Sequence, residues 1–225
     1  MSGMRVGLYY APALDDPLWA RAAQWLGRDP ASGTSVPQPD LPGIAEITAE
    51  PRLYGFHATL KPPMALSEGV RWDEVVLAMR SIASSIPAFD LPGVMVADLH
   101  GFLALREVAP SPALQALADA CVAGADHLRA PAGPAELAKR RRTGLSVAED
   151  ANLRAWGYPY VFATWTFHMT LTRRLSAAEH ACFRPAAEAW FAPVLARPRR
   201  VADLCLFVQR EPGEAFVLAE RASLA

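Results

Sequence analysis

Apolar and polar residues along this chain follow two rhythms, and the switches between them mark its elements. Residues 6–10 (Val-Gly-Leu-Tyr-Tyr) read as a strand ended by Ala11-Pro12. Asp16-Pro17 offers an N-cap with proline at the first helical position, and Trp19, Ala22, Ala23 and Leu26 follow at helical spacing. Residues 28–42 are rich in Gly, Pro, Ser and Asp and form a loop. A strand is expected over about residues 53–60, stopped by Pro62-Pro63. Trp72, Val75, Val76, Met79, Ile82, Ala83 and Ile86 recur at three- and four-residue steps and predict an amphipathic helix. Residues 94–99 and 102–108 predict two strands joined at His100-Gly101, and residues 112–128 a helix with Leu114, Leu117, Cys121 and Leu128 on one side. Residues 136–156 are polar and helical in part. A second strand through His168, a helix over about 177–195 and a hairpin of 203–208 with 215–218 complete the pattern.

Two five-residue phrases stand out. Phe56-His57-Ala58-Thr59-Leu60 and Phe167-His168-Met169-Thr170-Leu171 differ only at the central position. Side chains on a strand alternate between faces, so His and Thr two residues apart share one face. Regular alternation puts Gly55, His57, Thr59 and Lys61 together in the first copy, and Thr166, His168, Thr170 and Thr172 in the second. The order of elements in the second part of the chain echoes the first. This predicts an internal duplication within one bilobal domain, residues 1–225, with one His-x-Thr strand per lobe.

Composition narrows the possibilities. In 225 residues, 52% hydrophobic and 20% charged describe an ordinary globular chain, and a formal net charge of −1 supplies no overall basic field for nucleic acid or membrane. Cys121, Cys182 and Cys205 are odd in number and widely separated; buried free thiols in a reducing compartment are expected, without disulfide or zinc chemistry. No signal sequence is read at residues 1–10, and no apolar run approaches the roughly 20 residues of a spanning helix, so a cytoplasmic location is expected.

Two imidazoles facing one another can divide a proton-transfer reaction. The neutral ring accepts a proton from the attacking water or hydroxyl, and the protonated ring donates one to the leaving oxygen; an unperturbed pKa near 6.5 makes both forms accessible. The neighbouring Thr hydroxyls can bond a non-bridging oxygen. A phosphodiester suits such a pair, with no metal or cofactor required. The paired His-x-Thr-hydrophobic pattern resembles the 2H phosphoesterase superfamily, which includes RNA 2′,3′-cyclic phosphodiesterases. Residues 54–63, with Gly157-Tyr158-Pro159-Tyr160 and Phe167–Thr172, are similar to an uncharacterised bacterial branch typically encoded among phosphonate-utilisation genes. The resemblance implies an α+β fold of two lobes, with two antiparallel-rich sheets flanking a central cleft and helices outside. It also implies a catalytic tetrad of His57, Thr59, His168 and Thr170. The expected substrate is a small cyclic phosphodiester, handled in phosphonate metabolism, rather than long RNA.

Around the tetrad, Lys61 is a candidate for a second phosphate or a solvent-reaching side chain, and Tyr158 and Tyr160 for stacking on a base or ribose or simply a packed turn. If the second strand stays regular, Arg173 faces away from His168 and Arg174 is the better phosphate partner. The basic run 139–142 reads as a solvated helix face, and His100, His127, His180 and the acidic pairs Asp15-Asp16 and Glu149-Asp150 as structural. Three rival readings remain: an RNA-processing 2′,3′-cyclic phosphodiesterase, a non-catalytic binder of a phosphorylated metabolite, and a duplicated scaffold with no anion site.

Overall fold

The computed structural model describes residues 3–142 and 144–225. The chain opens on strand β1 (Arg5–Tyr10) and helix α1 (Pro17–Leu26), whose first turn is capped where Asp16 accepts the Leu18 N–H at 2.8 Å. Approach to the first histidine differs from the expectation. Residues 53 and 54 are helical, at the end of the short helices α2 (Ile44–Ile47) and α3 (Ala49–Tyr54), and strand β2 (Ala58–Ala65) begins only after His57. Long-range hydrogen bonds explain the change. Arg52 donates to Leu26 O at 2.6 Å, Gln38 Oε1 at 3.0 Å and Thr48 Oγ1 at 3.0 Å, a set only the coiled conformation assembles.

Nor does β2 stop at Pro62-Pro63. Against β1 it carries two register irregularities, between Val6 and Leu8 and between Leu8 and Tyr9, each giving β2 one extra residue. Pro62 and Pro63 lie within the first bulge, between the Leu8↔Lys61 and Val6↔Met64 pairs, where a missing N–H removes no ladder bond.

The remaining elements are α4 (Trp72–Ser84), β3 (Phe89–Leu91), β4 (Val94–Leu99), β5 (Phe102–Glu107), α5 (Pro112–Ala125), α6 (Pro134–Arg141), α7 (Val147–Trp156), β6 (Met169–Arg174), α8 (Ala177–Leu195), β7 (Arg199–Val201), β8 (Asp203–Gln209) and β9 (Val217–Ser223). Most follow the predicted pattern, but β3 and β7 are not expected from it, β6 begins only after His168, and β9 runs five residues past the expected end at 218. His100 and Gly101, both at positive φ (53° and 88°), make the two-residue turn between β4 and β5.

The α+β class is the one expected, and the strand order explains how the two groups of strands are related. A seven-stranded sheet runs β4-β5-β6-β2-β1-β8-β9, with β3-β7 a separate pair. Among the described residues every pairing in it is antiparallel, and the only residues paired between its two groups, β4-β5-β6 and β2-β1-β8-β9, are Ala58↔Met169. Early and late strands interleave in it: β1 lies between β2 and the late strand β8, and β6 lies between the early strands β5 and β2.

Alternation along β1 sorts the interior. Val6, Leu8 and Tyr10 join the main core with Val75 and Met79 of α4 and Leu114 and Leu117 of α5, whereas Tyr9 packs on the opposite face with Phe207 and Phe216. Cys121 and Cys205 are buried as expected; Cys182 is exposed, on the outer side of α8, and corrects the reading of all three thiols as internal. Among the described residues, no helix is long and apolar enough to cross a membrane.

Candidate active site

The one bridge between β2 and β6 sets the geometry of the site. With Ala58 opposite Met169 in an antiparallel pair, one step along each strand puts His57 across from Thr170, and Thr59 across from His168. Ala58 and Met169 are both 0% exposed and point into the core, so the other four side chains share the opposite face. The two imidazoles are therefore on diagonal neighbours, roughly 7–8 Å apart in a regular ladder and somewhat less at Cβ, with a hydroxyl at each remaining corner. Trp165 fixes this arrangement by donating its indole N–H to Thr59 O at 2.8 Å, tying the second histidine segment to the first strand.

Each imidazole is oriented the same way. His57 Nδ1 lies 2.9 Å from Gly55 O, and His168 Nδ1 lies 2.9 Å from Thr166 O, in both cases the carbonyl two residues before. A carbonyl only accepts, so Nδ1 carries the proton in the neutral ring and Nε2 presents a lone pair. In His57 that nitrogen lies 3.1 Å from Thr59 Oγ1, which donates to it. Gly55 makes this possible. Its φ is 75°, and a Cβ there would come within 2.6 Å of Pro30 Cβ.

The two rings have different surroundings. Tyr9, fully buried, stacks on His57 with ring centroids 3.8 Å apart and 19° between planes. Burial pushes the His57 pKa down to about 4 against the bond to Gly55 O, and the nearby His168 lowers it further. His168 meets Phe102 edge-on at 5.8 Å; its pKa is also lowered, by burial first and by Arg106 in addition, with the Thr166 carbonyl opposing. On β5 the position facing Thr170 is Ala104, whereas on β1 the position facing Thr59 is Tyr9, so the aromatic cover is one-sided.

Over this face lies a cavity of about 350 Å³, lined by His57, Thr59, Thr170, Thr172, Tyr9 and Tyr158 and by the charged Arg5, Glu50, Arg140 and Arg173. His168 is not among the lining residues; it lies on the same sheet face, across the rung from Thr59. Tyr158 is held under the Arg140 guanidinium, 4.9 Å from the ring centroid, and edge-on to Tyr160 at 5.6 Å; Tyr160 is 40% exposed and does not line the cavity.

Lys61 and Arg174 are not brought to this cavity. The bulge at Leu60 turns Lys61 to the helix side of the sheet, where its ammonium lies 2% exposed and donates to Val122 O at 3.0 Å and Asp126 Oδ1 at 3.1 Å. On β6 an irregularity between the Ala104↔Thr170 and Phe102↔Arg174 pairs breaks the alternation. Thr172 is buried at the cavity wall, its hydroxyl oxygen accepting the Leu103 N–H at 3.0 Å, and Arg173 also lines the cavity, paired with Glu179 at 2.7 Å. Arg174 bonds His100 O at the turn instead. The strand-parity argument that favoured Arg174 thus fails at the bulge.

Tyr9, Arg5 and Arg106 were not singled out from the sequence. The Arg5-Val-Gly-Leu-Tyr9 alternation held the signal, with a glycine midway between an arginine and a tyrosine on one strand face. Arg140, read as part of a solvated run, also lines the cavity. No group of three or more His, Cys, Asp or Glu side chains among the described residues is placed to hold a metal ion.

Residues 59–217 match the family model described as "Protein of unknown function (DUF1045)". The chain is 42% identical over 227 residues to a protein of Janthinobacterium sp. (strain Marseille) named ribose 1,5-bisphosphate phosphokinase PhnN. It is 37% identical over 217 residues to one of the same name from Laribacter hongkongensis (strain HLHK9). Each alignment covers 96% of this chain and 50% of the relative, so the chain spans about half the length of the curated relatives it matches. Among solved structures, E. coli LigT complexed with 3′-AMP is similar at 14% identity with a TM-score of 0.49, covering 100% of this chain and 99% of that one. A structure described as a phosphoesterase is similar at 15% identity and a TM-score of 0.45, with the same coverage.

Proposed function

The chain belongs to the DUF1045 family, and for it we propose a phosphoesterase that opens a small cyclic phosphodiester, a ribosyl or nucleotide cyclic phosphate, with His57 and His168 as general base and general acid. One observation carries this reading: two His-x-Thr pairs set diagonally on one sheet face, each imidazole tied through Nδ1 to the carbonyl two residues before it. That leaves two Nε2 atoms to serve a single phosphorus between them.

In the proposed reaction a water gives a proton to His57 Nε2 as its oxygen attacks phosphorus in line. The ring P–O bond breaks on the far side, and its oxygen takes a proton from His168 Nε2. The Thr170 hydroxyl, and that of Thr59 once it turns away from His57 Nε2, donate to the non-bridging oxygens as charge accumulates there. The assignment of roles follows from the one-sided cover. Tyr9 and burial hold His57 neutral, as a base must be; His168 lacks that stack and gains its proton beside the bound anion. No metal enters this scheme.

A cavity of about 350 Å³ suits a sugar phosphate better than a polynucleotide. The relatives' name puts a ribose bearing two phosphates in the chemistry of those longer proteins. This sequence has no Gly-Lys dipeptide, so the Gly-rich G-x-x-x-x-G-K-[ST] loop is not part of it. We assign it a separate step on the same class of ribosyl phosphate, consistent with phosphonate metabolism.

A panel running from ribosyl cyclic phosphates to 2′,3′-cyclic nucleotides tests the proposal, assayed with wild type and the His57→Ala/His168→Ala double variant. Wild type should open at least one of them, and the double variant none. A double variant that keeps the full rate, or a wild type inert on every compound, sinks the reading. The division of roles is tested with an aryl phosphodiester, whose leaving group needs no proton. On it His168→Ala should recover most of its loss and His57→Ala should not.

A further inference from the structure

Beneath the histidines, the cleft floor carries a polar pair that the proposed reaction does not use. Strand β1 pairs regularly with β8, so Arg5, Gly7 and Tyr9 fall in a line on its cleft face. A Cβ on Gly7 would lie 2.7 Å from Tyr9 Cε1, Cζ and Oη alike. The phenol therefore lies flat over Gly7, with its hydroxyl directed along β1 towards Arg5. Glycine at this point is what lets it do so.

Both ends of this line have unused donors. The Tyr9 side chain is 0% exposed, and its hydroxyl has no hydrogen-bond partner among the described residues although it lines the cavity. A buried hydroxyl left without a partner is costly, which is a reason to expect a ligand atom there. Arg5 is fixed by its Nε–H to Gln209 Oε1 at 2.7 Å and by Phe216, 5.5 Å from its guanidinium carbon. Both partners are neutral, and no carboxylate among the described residues forms an ion pair with it. Arg5 lines both the histidine cavity and the larger adjoining one, which also share Tyr54, Pro62, Pro63 and Arg140. Arg140, in contact with Glu136 at 3.1 Å, adds positive charge to the same wall, while Glu50 and the Arg173–Glu179 pair complete the charged rim.

We propose that Arg5 and the Tyr9 hydroxyl form a subsite for a second phosphate on the substrate, a phosphomonoester carried apart from the diester that the histidines act on. The substrate class is then a phosphorylated sugar that also bears a cyclic phosphate. This deepens the phosphoesterase reading and rests on it. Guanidinium and phenol are both pure donors towards an anion, and charge-assisted bonds of this kind are strong enough to set substrate choice.

Ribose 5-phosphate and ribose serve as probes in calorimetric titrations of the full chain. Wild type should bind the phosphate ester at least tenfold more tightly than ribose. Arg5→Gln and Tyr9→Phe should each weaken that binding on the order of 10-fold or more. Tyr9→Phe keeps the ring on His57, and Arg5→Lys, which keeps the charge, should retain part of the affinity. The His57→Ala/His168→Ala variant should still prefer the phosphate ester. The subsite is overturned if wild type does not distinguish the two probes, or if Arg5→Gln and Tyr9→Phe bind ribose 5-phosphate as wild type does. Binding that depends on Arg5 in a protein that opens no cyclic ester would sink the phosphoesterase reading and leave the anion subsite standing. Turnover of cyclic esters without dependence on Arg5 would do the reverse.

Discussion

Replacing Lys61 with Met separates two roles this residue could have. On a regular strand it would share a face with His57 and Thr59, and its loss would weaken substrate binding. In the fold its ammonium is buried against the last turn of α5, bonded to Val122 O at 3.0 Å and to Asp126 Oδ1 at 3.1 Å, where a cation also suits the negative end of the helix. Breaking a buried ion pair by removing one partner typically costs about 3–5 kcal/mol. Here the cost is smaller, because Asp126 keeps Arg129 at 2.8 and 3.1 Å. Methionine fills nearly the same volume, so no cavity penalty adds to it. What remains is an unsatisfied Val122 carbonyl and a weakened Asp126, together about 2–3 kcal/mol, or roughly 5–10 °C in Tm for a chain of this size. Urea unfolding should show a lower midpoint at unchanged slope, with KM for whichever cyclic ester is turned over close to wild type. A variant as stable as wild type, or one that is stable but has a tenfold higher KM, would refute the reasoning.

Four other outcomes follow. Single His57→Ala and His168→Ala variants should each lose on the order of 10²–10⁴ in turnover of the cyclic ester, and a millimolar chelator should leave the wild-type rate unchanged. Because the His57 pKa is held at about 4, below its unfolded value near 6.5, its neutral state contributes stability above about pH 6.5 that is lost as pH falls towards 4, up to roughly 3 kcal/mol. Denaturant titrations at pH 7.5 and 4.5 should show this acid-side loss shrinking in His57→Gln. Gly55→Ala, forced into φ 75° and against Pro30, should cost about 1–3 kcal/mol and reduce turnover by misdirecting the carbonyl that orients His57, read by thermal melts and initial rates. Trp165→Phe should lower turnover more than stability if the indole bond to Thr59 O aligns the two histidine segments.

Much of this architecture was legible in the sequence because it rests on local rules. The Asp16-Pro17 start of α1, the three- and four-residue apolar steps of α4 and α5 and the bounds of α8 all came from periodicity and capping. The His100-Gly101 turn was equally local. What escaped depends on contacts distant in sequence. Tyr54 ends a helix because of what Arg52 bonds to, and Pro62-Pro63 is tolerated because β2 bulges against a neighbour some 50 residues away. The same bulges decide which way Lys61, Arg173 and Arg174 point, and strand parity counted from the histidines cannot register them. The repeated His-x-Thr phrases announced a pair; the rung that sets each His opposite the other copy's Thr had to come from the sheet. Tyr9 was hidden because an apolar strand residue looks like any other until its ring is found on an imidazole.

The interleaving of early and late strands in the sheet has a consequence for how the molecule comes into being. β1 must find β8 across nearly the whole length of the polypeptide before the sheet can close, and such distant contacts raise contact order and slow folding. A fragment ending after β5 would leave β1 without its β8 neighbour and β5 without β6, two open edges able to join other chains. Such a fragment should therefore aggregate rather than work at half capacity.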